Sequence, residues 1–443
     1  AAAFHEVPAG WADANAAAPV LPADWWKMYQ DAQLDQLEQQ LIANSPDLAS
    51  ALARYHQAQA ATGVLRAAES PTLNASLNAQ RDRQSDLKPL RGATSPAEYN
   101  SGTLGFDLGY EVDLWGRISK QVSAGVAQEQ ASYADLAAAR LSLQIQLADT
   151  LLALRGADAD IRLLRETEQA YQRQADLIKQ RHDGGSASGL DLARAENQVE
   201  STRSLLRQRI AQRSVQEHAI AALVGASASD FRLDAGVQQF VTPAVPVGVP
   251  SLLLQRRPDI SAARLRVAAA SDQVGVARTA LFPSLTLGAS AGYQSSEFGR
   301  LAQAGNLFWA VGPTLAVSLL DGGRRKAQIA NAEAVLDEAG QRYRSVVLTA
   351  FQQVEDQLTL LTNYDEAAKS DHLAADAAGR ALDLAKKRYD QGAASYLEVV
   401  TAQTAYLQSR RSELDLTTRY RQAGVQLVKA LGGGWAESAP TAG

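Results

Sequence analysis

The chain has 443 residues, with 43 Lys plus Arg against 48 Asp plus Glu, for a formal net charge of −5. That mild acidity excludes a general nucleic-acid binder, which carries a basic surplus or a basic stripe, and the absence of Cys excludes disulfides, thiolate metal sites and Cys nucleophiles. Ala-rich, Leu-spaced sequence with 6% aromatic residues and one Met describes long helices packed closely on one another rather than a bulky globular core. The chain opens at Ala1 rather than Met, which reads as loss of a secretory segment.

In chain order, a helix is predicted from Pro46 to about Glu69, with Pro in its first turn, and Pro71 stops it. A hairpin follows. Its first strand alternates Leu73, Ala75 and Leu77 with Thr72, Asn74 and Ser76; its second alternates Leu104, Phe106, Leu108, Tyr110, Val112 and Leu114 with Gly105, Asp107, Gly109, Glu111 and Asp113. Residues 117–183 then carry apolar residues at helical spacing with no internal Pro, a run that reaches on the order of 100 Å at helical rise. A Gly-rich turn, His182-Asp183-Gly184-Gly185-Ser186, leads into a helix to about Val224. The same series then recurs: a helix from Pro258 to about Ala280, a strand on Leu285, Leu287 and Ala289, and a strand on Leu307, Trp309, Val311, Leu315, Val317 and Leu319. It closes with a helix over 324–390, the turn Asp390-Gln391-Gly392-Ala393-Ala394, and a helix to about Leu431.

The recurrence is a duplication. At an offset of 212, Pro46, Asp47, Arg54, Gly63, Arg66 and Pro71 meet Pro258, Asp259, Arg266, Gly275, Arg278 and Pro283. From Gly105 onward the offset is 207, and Gly116, Arg117, Asp149, Arg181, Asp183, Gly185, Ser188 and Leu190 meet Gly323, Arg324, Asp356, Arg388, Asp390, Gly392, Ser395 and Leu397. The change of offset falls between Pro71 and Gly105, where the first half has the longer loop.

Alternation alone is equally the pattern of a soluble sheet with one face on a core. Against that reading, four strands flanked by extended helices leave nothing apolar to cover the face. The alternative is a transmembrane β-barrel wall, apolar toward lipid and polar or small toward a wet lumen. Residues 301–320 carry no charge, yet Gly312-Pro313, Gln303, Asn306 and the period of two argue against a membrane helix there. No open sheet edge survives in lipid and four strands are too few to close a barrel. Several chains must therefore share the wall; two copies give eight strands and three give twelve, and the crowding of long helices around the ring favours three.

These residues resemble the TolC-like outer-membrane factors, and most closely the multidrug-efflux outer-membrane lipoprotein subgroup. The resemblance is carried by Trp25-Trp26-x-x-Tyr29-x-Asp31-x-x-Leu34-x-x-Leu37, by Pro246 to Ile260 followed by Leu281-Phe282-Pro283, and by Tyr110-Glu111-Val112-Asp113-Leu114-Trp115-Gly116-Arg117. Asp321-Gly322-Gly323, Arg388-Tyr389-x-x-Gly392 and Leu431-Gly432-Gly433-Gly434-Trp435 complete it. It implies an α+β membrane protein: a homotrimeric 12-stranded transmembrane β-barrel, four strands per chain, continued by an α-helical coiled-coil periplasmic tunnel. The hairpins would occupy 71–115 and 283–320, the tunnel helices 46–69, 117–224, 258–281 and 324–431, and an equatorial belt 1–43, 225–257 and 432–443. The implied function is the passive exit duct of a tripartite efflux pump in the outer membrane of a Gram-negative bacterium. Its partners would be a periplasmic adaptor and an inner-membrane transporter of the proton-driven resistance-nodulation-division type. A type I protein-secretion duct and a non-transport coiled-coil scaffold are the other readings. Members of the subgroup commonly carry an acylated N-terminal Cys, which this chain lacks.

No catalytic constellation is present, and no cofactor is expected. His5, His56, His182, His218 and His372 lack metal spacing, and Gly184-Gly185-Ser186 lacks the Lys-Ser/Thr of a phosphate loop. The resemblance places a periplasmic constriction at Leu397, Glu398 and Thr401, where some relatives carry Asp in place of Thr401. Duplication adds Leu190, Asp191 and Arg194 as the related positions, and Arg388 is a basic residue within reach. Leu190 and Leu397 equally suit a coiled-coil seam, with the neighbouring charges merely solvated. Gly184, Gly185, Ser188, Gly392, Ala394 and Ser395 form the turns expected to meet the adaptor. Leu104, Phe106, Leu108, Tyr110 and Val112 form the row expected to face lipid.

Overall fold

The computed structural model describes residues 21–85, 87, 92, 94–236 and 256–435. The Pro246–Gln255 part of the family motif, most of the expected belt segment 225–257 and the chain ends of the other two belt segments lie outside the described residues. After a short 3-10 turn at Trp25–Tyr29 come α1 (Ala32–Asn44), α2 (Pro46–Ala67), β1 (Thr72–Arg83), β2 (Glu98–Val112), α3 (Arg117–Asp183) and α4 (Gly189–Leu223). The second half supplies α5 (Pro258–Thr279), β3 (Ser284–Ser295), β4 (Leu307–Ala316), α6 (Arg324–Asp390) and α7 (Tyr396–Ala430). The duplication is metrical: α3 and α6 each have 67 residues, α4 and α7 each 35, α2 and α5 each 22, and β1 and β3 each 12.

The boundaries have local causes. Asp31 caps α1, accepting from the Gln33 and Leu34 amides at 2.8 and 2.9 Å, which satisfies donors that a helix start leaves orphaned. Asp113 does the same for α3, accepting from the Ile118 and Ser119 amides at 3.0 and 2.8 Å. In the second half Asp321 accepts from the Gly323 and Arg325 amides at 3.1 and 3.2 Å.

The chain divides into two compact units. One comprises residues 1–53, 133–262 and 344–443. Its main core joins Trp25, Tyr29, Leu34 and Leu41 to Leu147, Leu151 and Leu154 of α3, Val354 and Leu358 of α6, and Val425, Leu427 and Val428 of α7. The other unit comprises 54–132 and 263–343 and contains all four strands. Its helices approach through small side chains: the Thr62 hydroxyl donates to the Gly125 carbonyl at 3.1 Å, and a Cβ at Gly125 would lie 2.6 Å from the Leu65 side chain.

The strands form one antiparallel sheet in the order β1-β2-β3-β4. Two ends differ from the alternation-based expectation. β2 starts at Glu98 rather than Leu104, because Asn100, Ser101 and Gly102 pair through their backbone and show no polar–apolar contrast. β4 stops at Ala316 rather than Leu319; Val317 to Leu320 instead lead to the Asp321 cap, and Arg325 Nη2 donates to the Ser318 carbonyl at 2.5 Å.

Candidate functional site

Register decides what each sheet face carries, because directly opposed residues of an antiparallel pair share a face. Leu108 stands opposite Leu73 on one side and Ala289 on the other, and Ala289 stands opposite Val311. The next rows read Ala75–Phe106–Ala291–Trp309 and Leu77–Leu104–Tyr293–Leu307. Tyr110 continues the face opposite Leu287, and Val112 opposite Leu285. Through these rows one face is apolar across all four strands, and beyond them on β1 and β2 it carries Arg81, Arg83 and Glu98. The other face reads Asn74–Asp107–Ser290–Ala310 and Thr72–Gly109–Gly288–Gly312, polar or small in both rows, while the adjoining row Ser76–Gly105–Gly292 ends in Phe308 on β4.

Among the described residues nothing covers the apolar face. Leu77 is 74% exposed, Trp309 71% and Val311 72%, and Phe106 and Leu108 are also exposed, where a soluble monomer rarely leaves a patch of this extent. The outer strands β1 and β4 each pair on one side only, leaving backbone donors and acceptors unused on both edges. Among the described residues, no helix is long and apolar enough to cross a membrane.

The two helical turns are built alike. After α3, Gly185 takes φ +74°, and the Ser186 amide returns to the Arg181 carbonyl at 2.7 Å. After α6, Gly392 takes φ +71°, and the Ala393 amide returns to the Arg388 carbonyl at 2.8 Å. This left-handed close is inexpensive only for glycine. Gly184 precedes the first close, and Ala394 leads from the second to Ser395 at the start of α7. Ser188 caps α4, accepting from the Asp191 amide at 3.1 Å and donating its hydroxyl to the Asp191 carboxylate at 2.8 Å. Ser395 occupies the equivalent position of α7 without a side-chain cap bond.

Of the constriction candidates, Arg388 reaches Glu398 across the second turn at 3.2 Å, while Arg194 pairs with Asp191 one turn along the same helix at 3.6 Å. Thr401 turns its hydroxyl back to the Leu397 carbonyl at 2.8 Å. Leu190 is 60% exposed and Leu397 48%, so within one chain neither is a seam residue. The seam is made by Tyr396, which is buried with Tyr171, Ile178, Ala195, Val199 and Val399. Burial first, then the neighbouring Tyr389, Tyr171 and Asp191, pushes the Tyr396 hydroxyl up to about 12. Tyr389 lies 5.5 Å from the Tyr396 ring, with the Arg181 guanidinium 5.8 Å over its face. Tyr389 belongs to the Arg388-Tyr389-x-x-Gly392 motif and Tyr396 heads the constriction segment, but the packing of these tyrosines with Tyr171 was not singled out by sequence. The available signal was a break in the duplication, since Tyr396 corresponds to Gly189.

Four strands with one uncovered apolar face, joined to long helical hairpins in a duplicated chain, define a TolC-like outer-membrane channel protein. A family model described as outer membrane efflux protein matches residues 37–226 and 249–433, one span in each half, and the chain belongs to that family. It is 32% identical over 417 residues to outer membrane protein OprJ of Pseudomonas aeruginosa, covering 94% of this chain and 87% of that protein. It is 30% identical over 434 residues to the toluene efflux pump outer membrane protein TtgI of Pseudomonas putida, covering 97% and 91%. The crystal structure of the outer membrane protein VceC of Vibrio cholerae aligns with a TM-score of 0.85 at 30% identity, over 93% of this chain and 98% of that one. The chain is accordingly an outer-membrane efflux channel, not an enzyme.

Proposed function

We propose that three copies of this chain close a twelve-stranded barrel whose apolar face, including Leu104, Phe106, Leu108, Tyr110 and Val112, meets the lipid of the outer membrane. The helices continue it as a periplasmic tunnel through which small toxic compounds leave the cell. The observation that carries this reading is the four-stranded sheet with an uncovered apolar face and two unpaired edges. Such a sheet is stable in lipid only when β1 of one copy pairs with β4 of the next around a closed ring. The turns at Gly184–Ser188 and Gly392–Ser395 dock a periplasmic adaptor, which couples the duct to a proton-driven inner-membrane transporter of the resistance-nodulation-division type. Leu397, with Glu398, Thr401, Asp191, Arg194 and Arg388 around it, narrows the periplasmic end. Sedimentation of the detergent-extracted protein, with the detergent density-matched, tests the assembly: three chains per particle are expected. A detergent-free monomer of unchanged secondary structure overturns the barrel.

A further inference from the structure

We infer that Asp107 sets the ionic preference of the barrel lumen, an inference that rests on the three-chain barrel proposed above. The polar face of the sheet holds Asp82, Asp107 and Glu111 and, among the described strand residues, no Lys, Arg or His. The two strand arginines, Arg81 and Arg83, stand on the opposite face, where Arg81 pairs with Glu98 at 2.8 Å.

The three carboxylates are not equivalent. Glu111 is held by both arms of Arg117, at 2.8 and 2.6 Å, and its charge is compensated. Asp82 lies next to the end of β1 and accepts from the Gln80 side-chain amide at 3.0 Å. Asp107 is mid-strand and exposed, and among the described residues no ion pair reaches it. Its cross-strand neighbours are Asn74 and Ser290, and Gly105 and Gly109 flank it along the strand. Gly105 has little room to grow, since a Cβ there would lie 3.3 Å from Ser76 Oγ, whereas at Gly109 the nearest atom, Thr72 Oγ1 at 3.5 Å, is an ordinary contact. The residues directly beside Asp107 are therefore small and uncharged.

In a closed ring of three chains, symmetry sets three such carboxylates at one level of the wall. Charges of one sign on the wall of a water-filled passage concentrate counter-ions and repel co-ions within about a Debye length of the wall. The charged residues of the helical turns are instead matched, Asp191 with Arg194 and Glu398 with Arg388. An uncompensated ring of carboxylates therefore stands in the barrel wall, and the barrel lumen favours cations over anions.

The test is the reversal potential of purified channels in planar bilayers under a KCl gradient kept at or below about 0.1 M, where the Debye length is about 10 Å. The unmodified protein should pass K⁺ in preference to Cl⁻, and the preference should collapse near 1 M salt, where the Debye length is about 3 Å. Asp107→Asn should lower the permeability ratio by about twofold or more, and Asp107→Lys should reverse the sign of the reversal potential. Asn74→Ala, at the same level but uncharged, should leave it unchanged. Because the chain has no Cys, Asp107→Cys introduces a single thiol that can be modified after the channel has assembled. An anionic thiol reagent should restore cation preference and a cationic one should invert it. Wild-type reversal potentials in trimeric, conducting Asp107→Asn and modified Asp107→Cys channels overturn the role of Asp107 and leave the barrel standing. A wild-type protein that is monomeric, or that gives no channels, overturns the barrel and this inference with it.

Discussion

Glu38 of α1 is fully buried, and burial pushes its carboxyl up to about 9 against the opposing influence of Arg140 and Gln144. The folded chain therefore keeps a proton that the unfolded chain releases in the ordinary glutamate range. The sign follows from linkage: stability is fullest below that range and falls as pH rises toward about 9. Glu38→Gln removes the penalty. Its thermal unfolding should match wild type near pH 4 and lie higher near pH 8, by an amount of order 2 kcal/mol; parallel melting curves at both pH values would show that Glu38 is not buried as a neutral acid. Neighbouring residues on α7 supply a second contrast. Tyr396 is 2% exposed and Leu397 48%. Tyr396→Ala should cost about 3–5 kcal/mol of stability, whereas Leu397→Ala should stay within about 0.5 kcal/mol, both read by chemical denaturation in detergent.

For the strands, the two faces predict opposite tolerance at adjacent positions. Leu108→Arg sets a guanidinium on the apolar face and should cost about 2–4 kcal/mol if the site lies near the bilayer midplane. Gly109→Arg points to the polar face, where the nearest atom to a new Cβ is Thr72 Oγ1 at 3.5 Å, and should be better tolerated. Trimer yield from membranes compares the two, and equal losses would contradict the assigned faces. The same contrast explains what was legible in the sequence. Where two faces meet different solvents, as from Leu104 to Val112, composition must alternate, and the strand can be read directly. Where a strand carries only polar and small residues, as from Asn100 to Thr103, pairing leaves no such trace. The helical turns were legible because a left-handed close requires a residue such as Gly185 or Gly392. The Tyr171–Tyr396 packing was not, because partners so distant in sequence share no local pattern, and the two faces of the constriction candidates acquire meaning only once several chains are placed together.

At the scale of the assembled duct, the resting state should be closed loosely. The Arg388–Glu398 pair is exposed and the Arg194–Asp191 pair half-buried; surface pairs contribute about 0–1 kcal/mol each, so an adaptor has little to overcome. Leu397→Ser, or joint loss of Arg194 and Arg388, should raise single-channel conductance in planar bilayers. Leu373→Ser is the control, since Leu373 is also exposed on a helix surface at 67% but lies outside the turns. If Leu397→Ser and Leu373→Ser conduct alike in intact trimers, the constriction lies elsewhere.

The unpaired edges of β1 and β4 also make concentration a structural variable. A lone chain keeps two open hydrogen-bonding edges and an uncovered apolar face, so in the proposed barrel the native state of the sheet exists only in company. Its stability is then set by mass action among copies. The melting temperature of the sheet should climb with protein concentration in a fixed amount of detergent, and newly made chains that outnumber their membrane sites should be the population most exposed to edge-to-edge aggregation.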